Sequence, residues 1–191
     1  YEMSMLCYRF CKMAAWLRSQ FFAHGDIKPD NIMFSSDGIA KLADLGIAKS
    51  TNEQDTMLTM EASVFGTPAY MSPEQAMDSR KVDCRADIYS LGIVFYEMLS
   101  GQRPYRGSNT IEILSQVVRD EDIPDIQTLV PSIPADLAEL LNQMCAKNIQ
   151  KRIQSPSELL KRLEKIIPTI EGNACPDKTV PLEEAEITLP T

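Results

Sequence analysis

Met3, Leu6, Phe10, Met13, Ala14 and Leu17 recur at the period of one helix face, which predicts an amphipathic helix from Met3 to Arg18. Phe21 to His24 is short and apolar, and turn-forming polar residues then crowd in through Asn31. Ile32 to Phe34 and Ile39 to Ala43 read as two short strands, with Ser36-Asp37-Gly38 as the turn between them. Periodicity is lost from Ile47 to Tyr70, a stretch that exposes Thr51, Thr56, Thr59, Ser63 and Thr67; a loop of that length in a compact domain is functional or disordered. Asp87 to Leu99 is apolar nearly all round, the mark of a buried central helix, and Gly101 stops it. Three further helices are predicted near Thr110–Val118, Pro134–Lys147 and Ser155–Ile166. The last has a strong start signal, with Ser155 as N-cap, Pro156 at the first helical position and Glu158 as the capping-box acid. Beyond Pro168 the chain turns rich in Pro, Glu and Thr, which predicts a disordered tail or linker over 168–191.

Composition narrows the classes. The 191 residues suffice for one domain with its own core, and 44% hydrophobic with 24% charged residues is ordinary for a globular protein. Nineteen Lys and Arg against 27 Asp and Glu leave a formal net charge of −8, which disfavours nucleic acid or an anionic membrane as the main partner. No apolar run is long enough to span a membrane, and the first residues do not read as a signal peptide. The five cysteines, Cys7, Cys11, Cys84, Cys145 and Cys175, are scattered and odd in number, so they read as reduced thiols of a cytoplasmic protein. Cys7 and Cys11 share a helix face, but no second ligand pair follows, and core packing is the expectation over a metal pair. The chain opens on Tyr1 and enters a helical pattern at once, as a segment cut from a longer protein would.

The chemistry is concentrated in two places. His24-Gly25-Asp26-Ile27-Lys28-Pro29-Asp30-Asn31 holds a carboxylate, an ammonium and an amide within six positions, and Asp44-Leu45-Gly46 follows beyond the two strands. Moving a phosphoryl group from ATP needs an oriented hydroxyl, neutralised phosphate oxygens and a divalent ion on oxygen ligands. Asp26 can accept the hydroxyl proton and Lys28 can sit against the transferring phosphate. Asn31 and Asp44 offer the hard oxygens that Mg²⁺ requires. Taken singly, these residues are as well explained as turn caps; the order and spacing of several pieces together carry the reading.

With those pieces in hand, residues from Met3 to Ile167 resemble the eukaryotic-like protein kinases, and closely their bacterial serine/threonine branch. His24 to Asn31 is similar to the family's catalytic loop, with Gly25 where most members have Arg. Asp44-Leu45-Gly46 resembles its metal-binding triplet, with Leu for Phe, and Gly66 to Glu74 resembles the end of its activation segment. Asp87 to Gly92 looks like the start of the family's buried helix. The resemblance implies a mainly α fold, the C-terminal lobe of a kinase domain over 1–167, with a short β-hairpin at the catalytic cleft. It implies Asp26, Lys28 and Asn31 as catalytic residues, Asn31 and Asp44 as metal ligands, and Lys28, Asn31, Met33 and Asp44 at the nucleotide, with ATP and Mg²⁺ as cofactors. Met33 matches the position beneath the adenine ring; plain core packing also explains it, and both can hold. His24 is implied as a packed structural residue against the Asp44 triplet. The resemblance also implies a buried bidentate pair between Glu74 and Arg152, as opposed to two surface charges, and backbone N–H bonds from the catalytic loop to Asp87. Lys28 and Thr67 point to the serine/threonine class, so the implied partners are ATP and proteins carrying Ser or Thr.

Gly25 cannot clamp a phosphorylated loop as the usual Arg does, so phosphorylation of Thr51, Thr56 or Thr59 is not expected to be a strict switch. The Gly-rich phosphate loop, the strand Lys and the helix Glu of a complete kinase are not in these 191 residues. The β-rich N-terminal lobe is therefore absent from the segment, which alone should be nearly inactive. The main rival is a non-catalytic kinase-like binding or regulatory module. A Mg²⁺-dependent phosphatase using Asp26 and Asp44 is disfavoured by the lack of His ligands and Asp-rich motifs. Many bacterial relatives carry a membrane span after such a tail, which this segment does not show.

Overall fold

A computed structural model describes residues 13–15, 23–34, 40–42, 68–78 and 82–171. It is mostly helical. Residues 13–15 are helical, and Met13 and Ala14, both assigned to the apolar face, are buried. The remainder of the expected Met3–Arg18 helix lies outside the described residues, as do the Ser36–Gly38 turn, the Asp44 triplet, the threonines of the 47–67 stretch and the 172–191 tail.

The two strands are β1, Ile32–Phe34, and β2, Ala40–Leu42. They pair antiparallel, with Ile32 opposite Leu42, Met33 opposite Lys41 and Phe34 opposite Ala40. One short 3₁₀ turn, Pro29–Asn31, feeds β1, and another, Pro68–Tyr70, leads to the first helix, α1, Pro73–Met77. α1 follows from its sequence: Ser72 caps it, Pro73 takes the first position where no N–H is needed, and Gln75 completes a capping box. The same logic was read at Ser155-Pro156-Ser157-Glu158 but not here, because a five-residue helix carries no periodicity.

α2, Cys84–Ser100, is the axis of the molecule. It starts three residues before the expected Asp87, since Asp83 accepts from the Arg85 N–H at 2.9 Å and caps it earlier. Its end is as expected, with Gly101 in the left-handed region at φ 67°. Every residue from Ala86 to Tyr96 is buried, so the helix is covered on all sides. Around it stand α3, Thr110–Val118, α4, Ile126–Leu129, α5, Ala135–Met144, and α6, Pro156–Glu171. α2 packs on α4, α5, α6 and the Pro68–Tyr70 turn, while α3 packs on that turn and on α1. The core therefore lies between α2 and the C-terminal helices, with Phe95, Leu137, Leu141, Met144, Leu159 and Leu163 among its members.

α3 matches its expected bounds, whereas α5 is shorter than the Pro134–Lys147 reading. Lys147 instead turns its ammonium onto the carbonyls of Gln116, Val117 and Arg119 at 2.7, 2.9 and 3.0 Å, satisfying the open C-terminal end of α3. α6 extends beyond Ile166 to Glu171 with Pro168 inside it, so the Glu164 carbonyl lacks the usual N–H four residues on. Its start is half of the predicted box: the Glu158 N–H reaches Ser155 Oγ at 3.1 Å, but the Glu158 carboxylate accepts from Gln154 N. α4 gave no sequence signal beyond its N-cap, Asp125, being a single turn.

Candidate active site

The loop from His24 to Asn31 is shaped by contacts distant in sequence. Asp87, in the first turn of α2 and only 2% exposed, accepts the His24 N–H at 2.7 Å through Oδ2 and the Gly25 N–H at 2.8 Å through Oδ1. This is the anchoring expected of it. Burial is the main cause that raises the Asp87 carboxyl above its usual range, and the two N–H bonds oppose it. On the other side of the loop, Gln75 Nε2 donates to the Gly25 carbonyl at 2.8 Å. Gly25 sits at φ 78°, a conformation that costs a side-chain-bearing residue about 1 kcal/mol or more. The departure from Arg at this position thus also relieves the backbone.

Anchored in this way, the loop gathers three of its predicted site residues. Lys28 Nζ lies 2.8 Å from Asp26 Oδ2, and Asn31 Nδ2 donates to the same oxygen and to the Asp26 carbonyl, both at 2.9 Å. The Asp26 N–H in turn donates to His24 Nδ1 at 3.2 Å. Because the Asp26 oxygens only accept, the Asn31 amide nitrogen must face them, and its Oδ1 is the atom left to serve as a hard-oxygen ligand. Asp26 and Lys28 are partly exposed, so the cluster is open to a substrate. Met33, on β1, is 55% exposed, which removes core packing as its explanation. Asp44 lies outside the described residues; Leu42, two positions before it, pairs with Ile32, the residue after Asn31. Among the described residues no group of three His, Cys, Asp or Glu side chains could hold a metal.

The segment matched to the activation-segment end is tied into the same frame. Arg152 and Glu74 form the expected bidentate pair, Nη1 to Oε1 at 2.6 Å and Nη2 to Oε2 at 3.1 Å, with the Arg152 side chain fully buried. Arg152 also donates to the carbonyls of Ala146 and Arg85 and lies over the Tyr89 ring, 4.9 Å from its centroid. Tyr70 donates to Glu97 on α2 at 2.5 Å; burial and that carboxylate push its phenol far above the usual value. Thr67, which with Lys28 points to the serine/threonine class, lies outside the described residues.

The family model described as "Protein kinase domain" matches residues 1–163. The chain belongs to the protein kinase family. Within that family it is similar to serine/threonine-protein kinase PknB of Mycobacterium tuberculosis, 35% identical over 156 residues, which is 82% of this chain and 25% of the relative. PknB of Mycolicibacterium smegmatis is 35% identical over 178 residues, 93% of this chain and 28% of the relative. PknB of Mycobacterium leprae is 38% identical over 149 residues, 78% and 24%. The chain therefore spans about a quarter of the length of these kinase relatives. It stands on the bacterial, eukaryotic-like branch of the kinase family.

Two members of the site escaped the sequence reading. Gln75 was legible as a capping-box residue in Ser72-Pro73-Glu74-Gln75, had that box been sought, but its second bond to Gly25 was not. Ser72, read only as part of the Gly66 to Glu74 resemblance, is fully buried and caps α1.

Proposed function

We propose that this chain is the C-terminal lobe of a serine/threonine protein kinase, over 1–167 by resemblance and on to Glu171 by the run of α6, which corrects the tail expected from 168, and is followed by a tail. The reaction is transfer of the γ-phosphoryl group of ATP to a protein Ser or Thr hydroxyl, completed by a phosphate-gripping lobe supplied with it. The observation that carries the reading is the convergence of Lys28 and Asn31 on the single carboxylate of Asp26, within 2.9 Å. That carboxylate orients the incoming hydroxyl and takes its proton as the hydroxyl oxygen bonds the γ-phosphorus and the bond from that phosphorus to the β–γ bridging oxygen breaks, releasing ADP. Lys28 sits where its charge can pass from Asp26 to the oxygens of the transferring group. Asn31 and Asp44 would hold Mg²⁺, which supplies neutralisation of the phosphate oxygens when bound. The exposed thioether of Met33 supports the adenine contact. Support for Asp44 is the strand register, which brings Leu42, two positions before it, opposite Ile32, the residue after Asn31.

The test is phosphate transfer from radiolabelled ATP to a Ser/Thr peptide by the full-length protein. Asp26→Asn and Asp44→Ala should each lower the rate by at least about a hundredfold, with an unchanged circular dichroism spectrum. Turnover at the parent rate by either variant would remove that residue from the mechanism. If both variants turn over normally, the chain is a binding module.

A further inference from the structure

Gln75 uses both ends of its amide, and on different parts of the chain. Its Oε1 accepts from the Ser72 N–H and from the Ser72 hydroxyl, both at 3.0 Å, which is the capping box of α1. Its Nε2 donates to the Gly25 carbonyl at 2.8 Å, fifty residues away, on the peptide that enters Asp26. The other side of Gly25 is held by Asp87, so this one residue is clamped at its N–H by α2 and at its carbonyl by α1. A Cβ built on Gly25 would lie 3.8 Å from Gln75 Nε2, an ordinary contact, so steric room is not what the glycine provides there. Its use is the positive φ. A capping box alone needs only an acceptor at its third position, and Glu serves as well as Gln. Only the amide also supplies the donor that Gly25 receives.

We propose that Gln75 is a positioning residue for Asp26. Through the Gly25 carbonyl it transmits the placement of the Pro73–Met77 helix to the carboxylate that orients the substrate hydroxyl. The proposal rests on the kinase reading above. Its consequence is a mechanical link between the segment leading into α1 and the reacting carboxylate, running through one side chain. Displacing α1 would release the Gly25 carbonyl and loosen Asp26, while the Gly25 N–H stays on Asp87.

The discriminating variant is Gln75→Glu in the full-length protein. It keeps the acceptor for Ser72 but replaces the donor to Gly25 with a carboxylate oxygen. The expected result is a kcat about tenfold lower, with KM for ATP and for a Ser/Thr peptide within about twofold of the parent. The thermal midpoint should be preserved, and amide exchange should quicken about threefold in the peptide covering 23–31, with no change in the helices. Gln75→Met, which lacks both functions, should lose kcat similarly and also lower the midpoint. A parent-like kcat in Gln75→Glu while Asp26→Asn is inactive overturns the positioning role and leaves the kinase reading standing. A loss that only tracks a lower midpoint also overturns it, since Gln75 would then be a helix cap alone. Normal turnover by both Asp26→Asn and Asp44→Ala would remove the kinase reading itself, and the exchange measurement would then decide separately whether Gln75 orders the loop.

Discussion

Asp87 illustrates how one buried charge can organise a loop at some energetic cost. Its carboxylate receives two backbone N–H groups that would otherwise be left without partners, each worth about 1–3 kcal/mol if stranded. Burial nevertheless outweighs those bonds and raises the carboxyl in the folded protein. A carboxyl raised on folding binds its proton more tightly in the native state, so its contribution to stability is fully present below the unfolded value of about 3.9 and is lost as pH rises through the raised one. Asp87→Asn cannot titrate. The difference in urea stability between parent and variant should therefore shift against the parent as pH is raised from about 4, and then level off. A difference that stays flat across that range would show that the carboxyl is not raised. Gly25 shows the complementary point, since a departure from the family's Arg also suits the positive φ its two clamps impose.

At the level of elements, α2 meets α5 closely at a single glycine. A Cβ on Gly92 would stand 2.7 Å from Cys145 Sγ, closer than real side chains approach, and 3.0 Å from Met144 Cβ, a tight contact. Alanine is the better helix former by about 1 kcal/mol, but overpacking a filled core costs about 1–3 kcal/mol. The contact wins, and Gly92→Ala should destabilise the fold by about 1–2 kcal/mol in a denaturant melt. Adding Cys145→Ala should recover part of that loss, because it removes the nearer of the two clashes; strict additivity would refute the proposed contact. The helix bounds teach a related lesson. α3 was legible because nine residues of periodicity lie between an Asn109 cap and a polar exit. α1 and α4 are too short to show a period, and only their caps, Ser72 and Asp125, announce them.

Across the whole molecule, the Glu74–Arg152 pair joins positions 78 residues apart and fastens α1 to the helical body. Exposed pairs contribute about 0–1 kcal/mol, whereas a buried one, once broken, strands a charge and costs about 3–5 kcal/mol. Here Arg152 is fully buried and also satisfies two carbonyls and packs on Tyr89. Arg152→Ala should accordingly lower stability by about 3–5 kcal/mol and reduce activity through the loosened α1, measured by urea unfolding beside the peptide assay. A cost below 1 kcal/mol would place this pair in the surface class despite its burial.

The sequence alone determined the helical character of the chain, its apolar central helix, the two short strands and the candidate site residues, because hydrophobic period, caps and motif order are local properties. It also held the clues to Asp87 and to Arg152 with Glu74, through resemblance. What only the tertiary structure decided is which groups meet: Gly25 is gripped from two helices, and the loop so held brings Lys28 and Asn31 to one oxygen of Asp26. Hydrogen bonds between residues fifty or more positions apart leave no periodic trace, since they depend on how the helices stack and not on the order of residues within any one of them.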